Sequence, residues 1–271
     1  MIEFPVKRLC EVFRNLEEQI GILKAEPNQT AQLTDDFKWK MGEEHLSWLA
    51  GDSDKLGLTQ FVKGTAGDLQ DHLMNGKPMS PVVLATKIEM LVQMLVYDLE
   101  RRKFAYIPPP RDRYFKAKNL LGQAAHERFP EIDKDAQDVA NCIAGELYTA
   151  AVFHLMRIAE CGLRAIAREV AATPIRNKIK VPIEEADWEG VIIAIRAKLD
   201  AARKLPKTSK LRRSKLAFYS DATDHCTYMK DIWRNNVSHL QKPYISRDAQ
   251  AALSRVTEFM TFLATNLKPA K

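Results

Sequence analysis

The sequence predicts an all-α protein: a C-terminal bundle of four or five helices, preceded by a smaller helical N-terminal region. Three observations carry this. Apolar residues recur at three- and four-residue spacing in segment after segment, which is the helical period. No segment alternates apolar and polar residues over the length of a strand. Prolines stand at the ends of the periodic segments rather than inside them, as helices require.

Residues 6–25 form the first expected helix, with Val6, Leu9, Val12, Phe13, Leu16, Ile20 and Leu23 on one stripe and Pro27 after its end. Residues 30–50 carry Phe37, Trp39, Met41, Leu46, Trp48 and Leu49 in a mixed pattern that favours helix. Residues 51–67 are rich in Gly, Asp and Thr and read as irregular; Gly64 and Gly67 are too sparse a pair for a phosphate loop. Ser80-Pro81 opens a strong helix through Arg102, with proline in its first turn and Ile88, Leu91, Leu95 and Leu99 as its stripe. Phe104 to Ile107 is a short extended piece.

Pro108-Pro109-Pro110 makes a stiff extended connection. The domain boundary is therefore placed between residues 107 and 108. A helix is expected from Tyr114 to Phe129, and a long one from Asp133 to Val170, apolar on most sides from Leu147 to Ile166 as befits a bundle centre. Its charged stripe holds Arg157, Glu160, Arg164 and Arg168. His154 lies among apolar residues, where a satisfied core histidine is a better reading than a ligand. Thr173 to Ala186 is expected as a loop, Asp187 to about Leu205 as a helix, Lys207 to Arg213 as a basic linker, and Leu216 to Leu240 as a helix with a break near Asp224. Ser246 or Asp248 caps the last helix, which buries Leu253, Val256, Phe259, Met260, Phe262 and Leu263.

The 271 residues are 46% hydrophobic and 28% charged, the balance of a globular protein, and suffice for one large domain or two small ones. No secretory leader is expected, because Glu3 and Pro5 interrupt the start, and no charge-free apolar run of about 20 residues suggests a membrane span. Cys10, Cys142, Cys161 and Cys226 are scattered without a paired spacing, which argues against a zinc site or a disulfide framework and for a reducing cytoplasm.

The net charge of +6 is uneven. Residues 1–140 carry 19 Lys and Arg against 22 Asp and Glu, whereas residues 141–271 carry 22 against 13. Within the basic half, the run from Arg196 to Lys215, which includes Arg203, Lys204, Lys207, Lys210, Arg212 and Arg213, is opposed only by Asp200. Such a run fits a solvated loop or an electrostatic footprint for nucleic acid.

The stretch Asp231-Ile232-Trp233-Arg234-Asn235-Asn236-Val237-Ser238-His239-Leu240 has two contrasting faces. At helical spacing Met229, Trp233, Val237 and Leu240 form an apolar stripe, while Asp231, Arg234, Asn235, Ser238 and His239 fall opposite. A guanidinium binds phosphate oxygens with a rigid fork, and an imidazole titrates near neutral pH. An ordinary solvated helix face has the same pattern.

Arg234 and His239 with four residues between them, and Asn235 after the arginine, resemble the R-x(4–6)-H motif of the HEPN superfamily (higher eukaryotes and prokaryotes nucleotide-binding domains). Gly145 to Glu160 resembles the long early helix of those domains, and the resemblance covers roughly residues 112–268. It implies a metal-independent endoribonuclease of the bacterial toxin or phage-defence kind, without a cofactor. RNA supplies its own nucleophile, the 2′-hydroxyl. His239 would move a proton and Arg234 would hold the phosphate and stabilise its charge. Asn235 would orient His239 or touch the backbone. One histidine is short of an acid–base pair, and the resemblance implies a homodimer whose two motif helices complete one groove. Glu160 would support the active face or pair with Arg157 or Arg164. A partner antitoxin or other regulatory protein is implied as well. The resemblance departs at Gln241, where some members carry a tyrosine that a partner nucleotidyltransferase modifies. A module that binds RNA or a nucleotide without cutting it, or that dimerises a regulatory protein, is the competing reading.

Overall fold

The computed structural model describes residues 5–28, 30, 33–51, 56–75, 79–104, 106–204, 210–238 and 243–267, with the side chains of 210–215 and of Ser238 left aside. The protein is all-α; the described residues add to the helices one two-residue ladder. It divides into two compact units, residues 1–104 and 105–271. No helix among the described residues is long and apolar enough to cross a membrane.

In the first unit α1 (Val6–Ala25) buries Leu9, Val12, Leu16, Ile20 and Leu23 against α4 (Pro81–Glu100). The helix α2, residues 35–51, consists of an α turn Asp35–Trp39 capped by the Thr34 hydroxyl, a π-helical stretch Lys40–Leu46 and a final turn Ser47–Gly51. It packs on α3 (Gln60–Asn75). The irregular segment expected up to residue 67 is corrected here, since α3 starts at Gln60. Val62, Ala66, Leu69 and Leu73 are its buried stripe, and the energy of that stripe outweighs the poor helix propensity of Gly64 and Gly67. Gly67 also faces the Ala50 side chain closely, with 4.0 Å left for a Cβ. Asp98 closes the unit at one end: its carboxylate accepts the Thr59 N–H (3.1 Å) and pairs with Arg102 at 3.0 Å.

In the second unit α5 (Pro109–Asp112) is a single turn and α6 (Gln123–Arg128) a short helix. The continuous helix expected over 114–129 is absent because Lys116 and Gly122 take positive φ, 53° and 85°, which no right-handed helix contains. The long helix expected over 133–170 is two helices, α7 (Asp133–Ala144) and α8 (Tyr148–Glu169). Gly145 ends the first, Glu146 turns back at φ 60°, and the Leu147 N–H donates to the Cys142 carbonyl at 2.8 Å. Between α8 and α9 (Trp188–Arg203) the expected loop holds a hairpin, β1 (Ile175–Arg176) against β2 (Ile179–Lys180). Asp187 caps α9 by accepting the Gly190 N–H.

Helix α10, residues 210–238, begins inside the stretch read as a linker and runs through Asp224 unbroken. It comprises an α segment Lys210–Met229, a π turn Lys230–Arg234 and a last α turn Asn235–Ser238. The closing helix α11 (Ser246–Asn266) starts with Ser246 as its first residue, while the Asp248 carboxylate accepts the Ile245 N–H at 3.2 Å.

Helix α8 is the centre of this unit and packs against α7, α9, α10 and α11. It crosses α11 at Gly162, where an added Cβ would lie 2.6 Å from Cε1 of Phe259 and 2.8 Å from Cδ1 of Leu263. Alanine would gain about 1 kcal/mol of helix propensity there. The fully buried Phe259 ring cannot step aside, so overpacking wins. We expect Gly162→Ala to destabilise this unit by about 1–3 kcal/mol in thermal denaturation; an unchanged or raised melting temperature would show a looser crossing.

Candidate functional site

The π turn determines what the motif presents. An α-helix stacks residues three and four apart, whereas a π turn closes i→i+5. The Asn235 N–H donates to the Lys230 carbonyl, so these two residues sit one turn apart with Arg234 beside them. Lys230, Arg234 and Asn235 all line one cavity of about 560 Å³. Met229 and Trp233 face the opposite way and are buried, Val237 is half-buried, and the apolar stripe expected from the sequence is present over these residues. Asp231 is exposed, pairs with Lys230 at 3.3 Å, and lies outside the cavity.

Hydrogen bonds hold the backbone of the turn. The Tyr244 hydroxyl donates to the Trp233 carbonyl at 3.3 Å, and the Asn236 amide donates to the Ile232 carbonyl at 2.7 Å. The Tyr244 N–H in turn donates to the Thr149 hydroxyl on α8 at 3.0 Å. π turns leave carbonyls without their usual partners, and these side chains meet that need. The motif is thus clamped between α8 and the entrance to α11.

The other walls come from α8, the loop after the hairpin and the start of α9: Glu160, Arg176, Glu185, Asp187, Trp188 and Glu189. Glu160 is fixed at both oxygens. It accepts from Arg164 at 2.6 Å and from the Trp188 indole N–H at 3.0 Å. The pairing with Arg164 was one of the two roles expected for it, and the same carboxylate also borders the motif cavity. Lys230 pairs with Glu189 and Asp231, whose hydrogen bonds raise its pKa and keep the amine charged. The cavity is therefore of mixed sign rather than a uniformly basic pocket.

A second cavity of about 360 Å³ shares Glu160 and is lined by Glu131, Asp135, Arg157, Cys161, Arg164 and Arg168. Its cations are matched: Arg157 to Asp135 at 2.9 Å, Arg164 to Glu160, and Arg168 to Glu184 at 2.8 Å. Cys161 donates its S–H to Glu131 at 3.1 Å, and burial with that carboxylate pushes the thiol up to about 12. It stays a neutral thiol at physiological pH and is not an activated nucleophile.

His154 is not a core histidine. It is partly exposed, and its Nδ1 lies 2.7 Å from Asp135. With Asp138 these residues place three ligand-type atoms within 4.8 Å of one another. Asp135 already holds Arg157 and the His154 ring, and Asp138 pairs with Lys134 at 2.9 Å, so both carboxylates have partners within the chain itself.

Of the remaining sequence-derived candidates, Arg203 pairs with Asp200 at 2.8 Å and Lys204 follows the end of α9. Lys207 and His239 lie outside the described residues, and the side chains of Lys210, Arg212, Arg213 and Ser238 are likewise outside the description. Lys230 and Arg176 were missed. Lys230 stands four residues before Arg234, so its helical spacing held the signal. Arg176 lay in an assumed loop, where Asn177 was the one residue that suits a hairpin turn. Comparison of the chain with protein-family models, curated proteins and solved structures finds no match in any of the three.

Proposed function

We propose that this protein is a metal-independent endoribonuclease of the HEPN type, acting in toxin or phage-defence systems of the bacterial cytoplasm. One observation supports this above the others: the π turn sets Arg234 and Asn235 side by side in a cavity of about 560 Å³, and His239 follows Arg234 by five positions in the sequence. In this reading Arg234 grips the scissile phosphate and stabilises the charge of the phosphorane. His239 takes the 2′-hydroxyl proton or protonates the leaving 5′-oxygen. Asn235 orients the phosphate or the imidazole. Atoms balance without water in the first step: the 2′-oxygen bonds to phosphorus, the 5′-oxygen leaves with a proton, and a 2′,3′-cyclic phosphate remains.

A second proton-transfer group is supplied by a second copy, through an isologous pairing of the motif-bearing units. Light scattering on the full chain at micromolar concentration should give the mass of a dimer; a strict monomer that still cleaves RNA would remove the composite site. The competing reading is a module that binds RNA or a nucleotide without cutting it; Glu185, Asp187 and Glu189 around the cavity oppose phosphate charge and weigh against Arg234 holding a scissile phosphate there. Incubation of the purified protein with RNA in EDTA separates the two readings: fragments support the nuclease, and retained full-length RNA in a stable complex supports the module.

A further inference from the structure

The hairpin β1–β2 adds no residue to the core of its unit, although β1 lies against α9. Its base is anchored, with Pro174 buried and the Val181 N–H donating to the Pro174 carbonyl at 3.1 Å. Beyond that point every residue is exposed. Ile175 is 63% and Ile179 67% accessible, which is unusual for two isoleucines on six residues. Arg176, Lys178 and Lys180 are the charged members, and no Asp or Glu occurs between Glu169 and Glu184. None of these three cations has an ion-pair or hydrogen-bond partner among the described residues, whereas Arg157, Arg164 and Arg168 on α8 are all matched.

The turn adds a second observation. Asn177 and Lys178 both take positive φ, 51° and 66°, the geometry of a tight two-residue hairpin turn. Asparagine suits its place, but the second position ordinarily belongs to glycine. A lysine is held there against its backbone preference, at the tip of a protruding basic ribbon. The third observation is position: Arg176 lines the same cavity as Arg234 and Asn235.

We propose that this hairpin is a nucleic-acid-binding arm, which grips the phosphate backbone of a single RNA strand with Arg176, Lys178 and Lys180 and leads it to the motif cavity. The inference rests on the ribonuclease reading for the fate of the strand. Charge complementarity names the ligand: three unmatched cations on an extended ribbon suit a run of phosphates. The exposed isoleucines suit unstacked bases, which a single strand offers and a duplex hides. A protein partner would have to bring acidic side chains to the same ribbon, and nothing in the continuity with Arg234 favours that.

The test measures binding of the full chain to a fluorescent oligouridine with 2′-O-methyl sugars, which cannot be cleaved, over a range of salt. With Arg176→Ser, Lys178→Gly and Lys180→Ser together, the log–log salt slope should fall by about 2, at about 0.7 per lost phosphate contact. Lys178→Gly alone keeps the turn, since glycine accepts its φ, and should lower the slope by about 0.7. Ile175→Ser with Ile179→Ser should weaken binding and leave the slope unchanged. Melting temperatures guard against misfolding and should stay near that of the parent. Unchanged affinity and slope in the triple variant, from a parent that cleaves natural RNA, overturns the arm and leaves the nuclease reading standing. A parent that binds no strand overturns both.

Discussion

His239→Ala should lower RNA cleavage by about a hundredfold or more, the scale on which a general acid–base group acts. The sequence period sets it apart from the apolar stripe of Trp233, so it should contribute little to packing and the melting temperature should stay close to that of the parent, within about 0.5 kcal/mol of stability. Arg234→Ala should reduce cleavage comparably by removing the guanidinium from the cavity. The two losses should not add, because the groups act on one phosphate and one transition state. Initial rates on a defined RNA, beside thermal melts of the same samples, check this. A His239→Ala protein that cuts as well as the parent would remove the histidine from the chemistry.

Trp233→Ala should have the largest effect on stability, about 3–5 kcal/mol for a buried indole. Trp233 is 6% exposed, belongs to the core of the second unit, and meets Tyr228 edge-on at 5.8 Å between ring centroids. Since domains retain only about 5–15 kcal/mol in all, the second unit should melt far earlier. Cleavage should fall with the folded fraction, and an uncharged stabilising osmolyte such as sucrose should restore part of it. That rescue distinguishes Trp233 from Arg234, whose loss no stabiliser repairs. A parent-like melting temperature would mean the π turn packs more loosely than the buried indole implies.

Much of the fold was legible in the sequence because its cores are built from single helical stripes. Leu9 to Leu23, Ile88 to Leu95 and Val256 to Leu263 are buried on the spacing that announced them. What was not legible lies where backbone conformation departs from the stripe. Glu146 and Lys116 take positive φ without being glycine, so nothing in their side chains warned of the breaks at 145–147 and 116–122. Gly64 and Gly67 suggested a loop where buried Val62, Ala66, Leu69 and Leu73 overrule them.

The candidate site was legible in its apolar half and only in part in its polar half. Trp233 and Met229 face the core as their period requires, and Arg234 and Asn235 share a cavity. The i→i+5 closure that brings Lys230 alongside Asn235 as well as Arg234 has no signature in an α-helical wheel. The carboxylates of Glu185, Asp187 and Glu189 come from a distant stretch of chain, which only the folded unit brings to the motif. The Arg196–Lys215 run fits an electrostatic footprint from its composition alone. The unmatched hairpin cations were hidden in a segment that proline had marked as loop.

The most direct test of the central claim is the chemistry of the cut ends. Purified protein is incubated with a defined RNA in EDTA, and the fragments are analysed for terminal phosphates, alongside the same RNA with a single 2′-deoxy sugar at the mapped cut. The account predicts fragments ending in 2′,3′-cyclic phosphate, and resistance of the deoxy-substituted site, because the 2′-oxygen is the nucleophile. Intact RNA from a well-folded protein, or cleavage that persists at the deoxy sugar, would contradict it.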